Sequence, residues 1–158
     1  MKKQLTTTLL HIIKDGKILL AEKKRGFGVG LFNGVGGKLE PGETVEQSMI
    51  RETQEEINVT PINYKKVAVI NFDMFHKGEP TLEEMHVYIA NDFIGTPDET
   101  EEMKPQWFDM DKIPYEKMFA ADRIWMREVF NNKKLTSNVK FDKDFNLLEY
   151  NFNEVENV

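Results

Sequence analysis

GKLEPGETVEQSMIRETQEEINV, residues 37–59, is the stretch of this 158-residue chain that decides its fold. A glycine opens it, a proline-glycine turn signal follows, and an arginine and three glutamates crowd into its second half. A merely solvated acidic face is the alternative interpretation, but here the glycines, an earlier glutamate and the arginine arrive together with the acids. Five charged side chains are therefore candidate catalytic residues: Glu43, Arg51, Glu52, Glu55 and Glu56.

Local signals predict a helix over residues 45–57. Thr44 is a favourable N-cap, and Gln47 stands three residues later, as a capping box requires. The Pro41-Gly42 pair just before it predicts a turn. Asn58 readily takes the left-handed conformation that closes many helices. The helix is thus delimited at both ends.

The side chains of this predicted helix separate into an apolar arc and an acidic edge. At about 100° per residue, four residues share the arc: Met49, Ile50, Thr53 and Ile57. Glu52, Glu55 and Glu56 lie beside it at spacings that bring their carboxylates together. These charges repel one another, so we expect a compensating cation, for which Mg²⁺ or Mn²⁺ with oxygen ligands is suited. Arg51 lies on the neighbouring face, within reach of Glu43 or Glu55.

The stretch resembles the signature of the Nudix hydrolases, in which Gly, Glu, Arg-Glu and Glu-Glu recur at fixed spacings. Thr53 stands where an aliphatic residue is usual, and Asn58 where glycine is usual. Seven of the nine specified positions match: Gly37, Glu43, Arg51, Glu52, Glu55, Glu56 and Val59. The resemblance implies metal-assisted attack of water on a phosphate anhydride, and an α/β fold in which helices sandwich a mixed β-sheet.

Longer stretches are similar to the MutT-like oxidised purine nucleoside triphosphatases within that family. They are residues 23–44, 78–88, 95–118 and 149–158. This resemblance implies hydrolysis of a nucleoside triphosphate to the monophosphate and pyrophosphate. It also implies a divalent metal held by the Gly36 carbonyl, Glu52, Glu56 and Glu102, with Glu55 acting through water. Any of these four glutamates could serve as the general base, and Glu56 is preferred.

The same resemblance implies a pocket for the base. Six matching residues line it in the family: Thr8, Lys23, Phe27, Asn33, Phe72 and Asp122. Phe27 and Phe72 suit packing on a purine face, and Asn33 and Asp122 suit hydrogen bonding to its edge. The alternative is that these are ordinary strand or loop residues and that Asp122 only caps a helix.

Four positions depart from the subfamily's pocket. Phe119 replaces a stacking Trp, Ala121 the first of two paired aspartates, Met74 a Phe, and Glu83 a Met. Glu83 is a candidate for the missing acid, and Phe119 and Glu83 join the predicted substrate-binding set. We expect 8-oxo-dGTP as substrate. Other modified purines, dNTPs generally, ADP-ribose, a dinucleotide, or a silent nucleotide-sensing role remain open.

Patterning around the acidic helix predicts one domain over residues 1–158, a helix-sheet-helix sandwich around a mixed sheet. Strands are expected at 5–13, 18–22, 67–75 and 86–93, the last two joined by a polar connection. Further expectations are a glycine-rich loop over 25–37, a loop over 95–102, a short strand from 107, a second helix capped by Asp122, and a hairpin over 139–152.

Composition limits the partners. A net charge of −6 argues against a general nucleic-acid binder, although a bridging metal reconciles acidic ligands with a nucleotide polyphosphate. No run of 18 apolar residues predicts a membrane span, and the N-terminus reads as a first strand and not as a signal peptide. The absence of cysteine suits the cytoplasm. The subfamily resemblance implies a monomer acting on a small-molecule nucleotide.

Overall fold

Eight strands and two α-helices build the computed structural model, which describes all 158 residues. The elements are β1 Lys3–Lys14, β2 Lys17–Lys23, β3 Phe32–Asn33, α1 Val45–Ile57, β4 Val59–His76, β5 Glu79–Gly95, β6 Met103–Asp109, α2 Asp122–Phe130, β7 Lys134–Phe141 and β8 Leu147–Val155. A single 3₁₀ turn, Tyr115–Lys117, precedes α2.

All the strands belong to one mixed sheet. Their order is β3-β2-β1-β5-β4-β7-β8, and β6 pairs with β2 off this path. The β1–β5 and β4–β7 pairs are parallel, and the others are antiparallel. The predicted mixed sheet is therefore confirmed.

The two helices cover opposite faces of this sheet. Successive side chains of a strand point to opposite faces, so Leu9 of β1 joins one core cluster and Leu10 the other. Trp125 of α2 packs in the first cluster, and Met49 of α1 packs in the second. This arrangement confirms the helix-sheet-helix sandwich.

Helix α1 has the predicted ends. Thr44 Oγ1 accepts a hydrogen bond from Gln47 N at 3.1 Å, and Gln47 Oε1 accepts from Thr44 N at 2.9 Å. Asn58 closes the helix at φ 64°, ψ 32°. This asparagine therefore performs the conformational role that glycine usually has at a helix C-terminus.

The predicted polar connection between residues 75 and 86 is wrong. Residues 79–85 continue β5 and pair with β4, and only Lys77 and Gly78 form the turn. Both turn residues have positive φ, 50° and 78°. A two-residue hairpin turn can have positive φ at both positions, as here. The strands β4 and β5 therefore pair along their full length.

The predicted N-cap role of Asp122 is also wrong. Ala121 occupies the cap position of α2 and provides no side-chain hydrogen bond. Asp122 is the first helical residue, and its Oδ1 accepts a hydrogen bond from Trp125 Nε1 at 3.2 Å. Its carboxylate is thus turned into the protein and not toward the free N–H groups of the helix.

Neither helix combines the length and apolar character needed to cross a bilayer.

Candidate active site

Arg51 forms ion pairs with the acidic edge of α1. Its Nε donates to Glu43 Oε2 at 2.5 Å, and its Nη1 donates to Glu52 at 3.0 Å and to Glu55 at 3.1 Å. The Arg51 guanidinium, helped by the Glu40 N–H, lowers the pKa of Glu43 to about 2. Arg51 thus fixes both the turn before α1 and two carboxylates on it.

Glu56 is the buried acid of the site, with only 4% of its surface exposed. Burial, followed by the nearby Glu52 carboxylate, raises the pKa of Glu56 to about 8, although the Gly36 N–H works in the opposite direction. Burial also raises the pKa of Glu52. Both shifts mark a place where negative charge is poorly solvated.

Gly36 and Gly37 let the loop between β3 and α1 approach both β1 and α1 closely. A Cβ at Gly36 would lie 1.8 Å from the Thr8 carbonyl oxygen, and one at Gly37 would lie 2.6 Å from the Glu52 carboxyl carbon. Thr8 N donates to Gly37 O at 2.9 Å. The backbone of this loop is therefore held beside the two carboxylates, Glu52 and Glu56.

Glu102 reaches the site from the loop between β5 and β6. Thr100 Oγ1 donates to the Glu56 carbonyl at 2.8 Å, which ties this loop to the end of α1. Arg25 Nη2 donates to Glu102 Oε1 at 3.0 Å. The Glu102 carboxylate is one of the charges that raise the pKa of Glu56, so the two acids face the same region.

The chemistry of these donors fits a hard divalent cation. They are carboxylate and carbonyl oxygens, which Mg²⁺ and Mn²⁺ prefer. A cation would also relieve the unfavourable ionisation of buried Glu56. No three acidic or imidazole side chains converge at metal-ligand spacing in this arrangement. Arg51 and Arg25 hold Glu52 and Glu102 instead, so binding an ion would require these two side chains to turn.

A cavity of about 560 Å³ opens beside these acids, in the size range of small-ligand sites. Gly36, Glu56 and Glu102 lie on its wall, whereas Glu43, Arg51, Glu52 and Glu55 do not. All eight predicted substrate-binding residues line it: Thr8, Lys23, Phe27, Asn33, Phe72, Glu83, Phe119 and Asp122. The fold therefore brings residues from distant parts of the chain to one cavity.

Two buried oxygens in the cavity wall have no hydrogen-bond partner within the protein. They are Thr8 Oγ1 and Asp122 Oδ2. Burial raises the pKa of Asp122 to about 7, against the lowering effect of its Trp125 hydrogen bond. Buried polar atoms are rarely left unpaired, so these two are suited to hydrogen bonds with a ligand.

Glu83 faces the same cavity from β5. It lies opposite Leu5 of β1 and Phe72 of β4, and its Oε2 accepts from Thr7 Oγ1 at 2.9 Å. Burial raises the pKa of Glu83. The predicted base pocket therefore contains the Glu83 carboxyl group as well as that of Asp122, as expected if Glu83 compensates for Ala121.

Three residues that contact predicted site residues were not themselves among those predicted from the sequence. Arg25 pairs with Glu102, Thr7 donates to Glu83, and Phe145 lines the cavity from the turn between β7 and β8. Thr7 neighbours the predicted Thr8, and Arg25 opens the glycine-rich loop, so local patterns offered a weak signal for both. Phe145 gave none, because it lies far from every motif.

Comparison with known proteins identifies the class. The NUDIX domain family matches residues 2–129, and the chain belongs to the Nudix family of hydrolases. Nudix hydrolases generally use divalent metal ions. The predicted family, fold and hydrolase class are thereby confirmed.

Two similar proteins are named oxidized purine nucleoside triphosphate hydrolase. The Danio rerio protein is 40% identical over 151 residues, which is 96% of each chain. The Mus musculus protein is 38% identical over 149 residues, or 94% of each chain. Among solved structures, a MutT protein from Bacillus halodurans has a TM-score of 0.83 at 24% identity, covers 94% of this chain and 97% of its own, and shows the shared fold.

Proposed function

We propose that this protein hydrolyses oxidised purine nucleoside triphosphates, with 8-oxo-dGTP as the first candidate, to the monophosphate and pyrophosphate. It would remove damaged nucleotides from the precursor pool. One observation carries the proposal: a single cavity has the buried acid Glu56 at one part of its wall and the polar, aromatic residues of the predicted base pocket at another. The names of the two similar vertebrate proteins support the same substrate class.

The acids of α1 and of the two neighbouring loops would have different roles in the reaction. Glu52, Glu56 and Glu102, with the Gly36 carbonyl, would hold the cation, and Glu55 would act through water. We propose Mg²⁺ as the ion, with Mn²⁺ as a substitute. A divalent cation supplies charge neutralisation and polarisation of the phosphate anhydride. Arg51 and Glu43 would hold the acidic edge in place.

Glu56 is the proposed general base. A general base must be ionised before the step, so a cation beside this carboxylate would have to offset the burial that raises the pKa of Glu56 to about 8. Glu56 would take a proton from water, the water oxygen would bond to one phosphorus of the α–β anhydride, and that P–O–P bridge would break to give the monophosphate and pyrophosphate. Lys23, which also lines the cavity, is suited to phosphate or sugar contact.

The nucleobase would be recognised by hydrogen bonds and by stacking on aromatic rings in the cavity. Asn33 Oδ1 accepts from Gly34 N at 2.8 Å, which orients the side chain and directs its amide N–H₂ away from that bond. Asp122 Oδ2 and Thr8 Oγ1 have no partner within the protein. Phe27, Phe72 and Phe119 offer apolar faces. Such a set suits a purine with several polar edge atoms.

Broad dNTP hydrolysis is the second candidate, because Ala121 is buried where the subfamily has an aspartate. The loss of one hydrogen-bonding acid weakens discrimination by about 1–3 kcal/mol unless Glu83 restores it. ADP-ribose, a dinucleotide and a sensing role are further outcomes of the same test.

We also propose that the protein is monomeric and cytoplasmic, with one domain over residues 1–158. Light scattering would test its oligomeric state.

The test is a comparison of kcat/KM with Mg²⁺ for 8-oxo-dGTP, 2-hydroxy-dATP, the four normal dNTPs, ADP-ribose and a dinucleoside polyphosphate. A preference of about tenfold for an oxidised purine over its parent, or about 1.4 kcal/mol, supports the proposal. Equal rates on all dNTPs, or a higher rate on ADP-ribose, would contradict it. Glu56→Gln should lower kcat by about 10²–10⁴-fold. Absence of turnover with every substrate would favour the sensor.

A further inference from the structure

The turn between β7 and β8 presents an aromatic ring in a constrained way. Phe145 has φ +61°, which is unusual for a bulky residue. Asp142 holds this turn, because its Oδ1 accepts the N–H groups of Asp144 at 2.8 Å and Asn146 at 2.9 Å. Phe145 N donates to the Asp142 carbonyl at 3.1 Å. These bonds define the backbone of the turn, from which the Phe145 side chain reaches the cavity.

That ring completes a three-ring stack at the cavity. Phe145 and Phe27 have ring centroids 4.8 Å apart at an interplanar angle of 33°. Phe27 in turn stacks on Phe119 at 5.5 Å and 26°. All three line the cavity, although they come from three separate loops. Phe27 and Phe145 remain 58% and 41% exposed, so much of their aromatic surface is open to a ligand.

Phe27 depends on these neighbours for its position. The glycines on either side, Gly26 and Gly28, have φ of +81° and +84°, and glycine restricts the backbone little. Phe119 packs so closely on Gly28 that a Cβ there would lie 2.6 Å from its ring. Phe145 contacts Phe27 from the hairpin, so two loops fix the aromatic residue of a third.

We propose that Phe145 determines nucleotide affinity by forming, with Phe27 and Phe119, the aromatic wall against which the base packs. This inference rests on the proposed function and adds a residue from the C-terminal hairpin to the base end of its site. The ring does not contact the acidic edge of α1, so its loss should weaken base binding and leave the chemical step unchanged. Base–aromatic stacking is strong enough that we expect a loss of about 5- to 50-fold in affinity.

Phe145→Asn is the appropriate variant, because asparagine tolerates the left-handed backbone and replaces the ring with a small polar group. Its Kd for 8-oxo-dGMP, measured by titration calorimetry, and its KM for 8-oxo-dGTP should each rise by about 5- to 50-fold. The kcat should stay within about twofold of wild type, and the melting temperature should be unchanged. Phe145→Tyr keeps an aromatic face and should restore the affinity.

Phe152→Ala is the matched control. It removes the same side chain from the same hairpin, at 38% exposure, but Phe152 does not line the cavity. Its Kd and KM should equal those of wild type. Equal affinities for wild type and Phe145→Asn, or an equal loss in Phe152→Ala, would overturn this inference alone. A wild-type protein that binds no purine monophosphate would overturn the proposed function, and this inference with it.

Discussion

The Arg51 guanidinium holds the Glu43 carboxylate with two nitrogens, Nε at 2.5 Å and Nη2 at 2.9 Å, across the turn that leads into α1. A planar fork matches a carboxylate in a way that an ammonium does not. The same guanidinium also donates to the Lys38 carbonyl at 3.2 Å. Arg51 therefore links the glycine loop, the turn and the acidic edge of the helix.

Arg51→Lys should consequently impair catalysis although the positive charge is kept. A lysine satisfies one of these partners at a time, so Glu52 and Glu55 lose their fixed direction. We expect kcat/KM to fall by about 10- to 100-fold, as is typical when residues that orient metal ligands are changed. Arg127→Lys, at an exposed position on α2, should leave the rate unchanged. A normal rate in Arg51→Lys would contradict the orienting role.

Replacing Gly36 or Gly37 by alanine should have different effects on stability and activity. At Gly37 the added carbon meets the carboxyl end of the Glu52 side chain, which can turn at a lower cost than backbone can shift. We therefore expect Gly37→Ala to fold with a nearly normal melting temperature but to lose about 10- to 100-fold in kcat. At Gly36 the added carbon meets the backbone of β1 at Thr8, so the loop itself must shift.

Gly36→Ala should accordingly lower the melting temperature as well as the activity. A loss of about 2 kcal/mol would correspond to roughly 4–8 °C in a chain of this size. Thermal unfolding of both variants beside wild type, together with kcat, distinguishes the two cases. Equal melting temperatures for Gly36→Ala and Gly37→Ala would show that the close approach to Thr8 is not a constraint on the fold.

Helix α1 was predictable to the residue, because its caps and its acidic edge are encoded within about twenty positions by short-range rules. The length of β4 and β5 was not. Their turn uses Lys77 at φ 50°, where asparagine or aspartate before glycine would have been the recognisable signal. Residues 79–85 include three glutamates and a proline, which are poor strand formers. Their strand character therefore depends on pairing with β1 and β4, which are distant in sequence.

The residues of the candidate site show the same difference between local and long-range determinants. The acids of α1 follow from one local motif, and the family resemblance supplied the eight pocket residues. Phe145 could not be predicted, because its place at the cavity depends on the packing of the C-terminal hairpin beside the glycine-rich loop. Asp122 was recognised as a pocket residue, but its hydrogen bond to Trp125 becomes visible only in three dimensions.

Glu83→Gln tests whether the carboxyl group on β5 replaces the acid lost at Ala121. Glutamine still accepts from Thr7 but loses the negative charge that would favour N–H donors on the base edge. We expect kcat/KM for 8-oxo-dGTP to fall by about 10- to 150-fold, which corresponds to one hydrogen bond to a charged group. Glu84→Gln, on the opposite face of the same strand, is the control. A uniform loss across all dNTPs would argue against base recognition by Glu83.

Asp122→Asn should stabilise the protein increasingly as the pH rises. The pKa of Asp122 is raised from 3.8 to about 7 in the folded state, so between these values the native protein binds more protons than the unfolded chain. Wild-type stability therefore falls as the pH rises through this window, whereas asparagine carries no such cost. The melting-temperature difference between Asp122→Asn and wild type should grow from pH 4 to pH 7, by on the order of 10 °C, and level off above.

Exposed Asp111→Asn should show no such trend, which separates burial from the loss of a charge in general. The same Asp122→Asn protein should bind 8-oxo-dGMP more weakly than wild type at pH 8, because it cannot present a carboxylate oxygen to the base. Greater stability together with weaker binding is the expected result for a buried acid that costs folding energy and serves a ligand. A melting-temperature difference that stays constant from pH 4 to pH 8 would mean that Asp122 is ionised throughout, and that its unpaired oxygen is not the source of the cost.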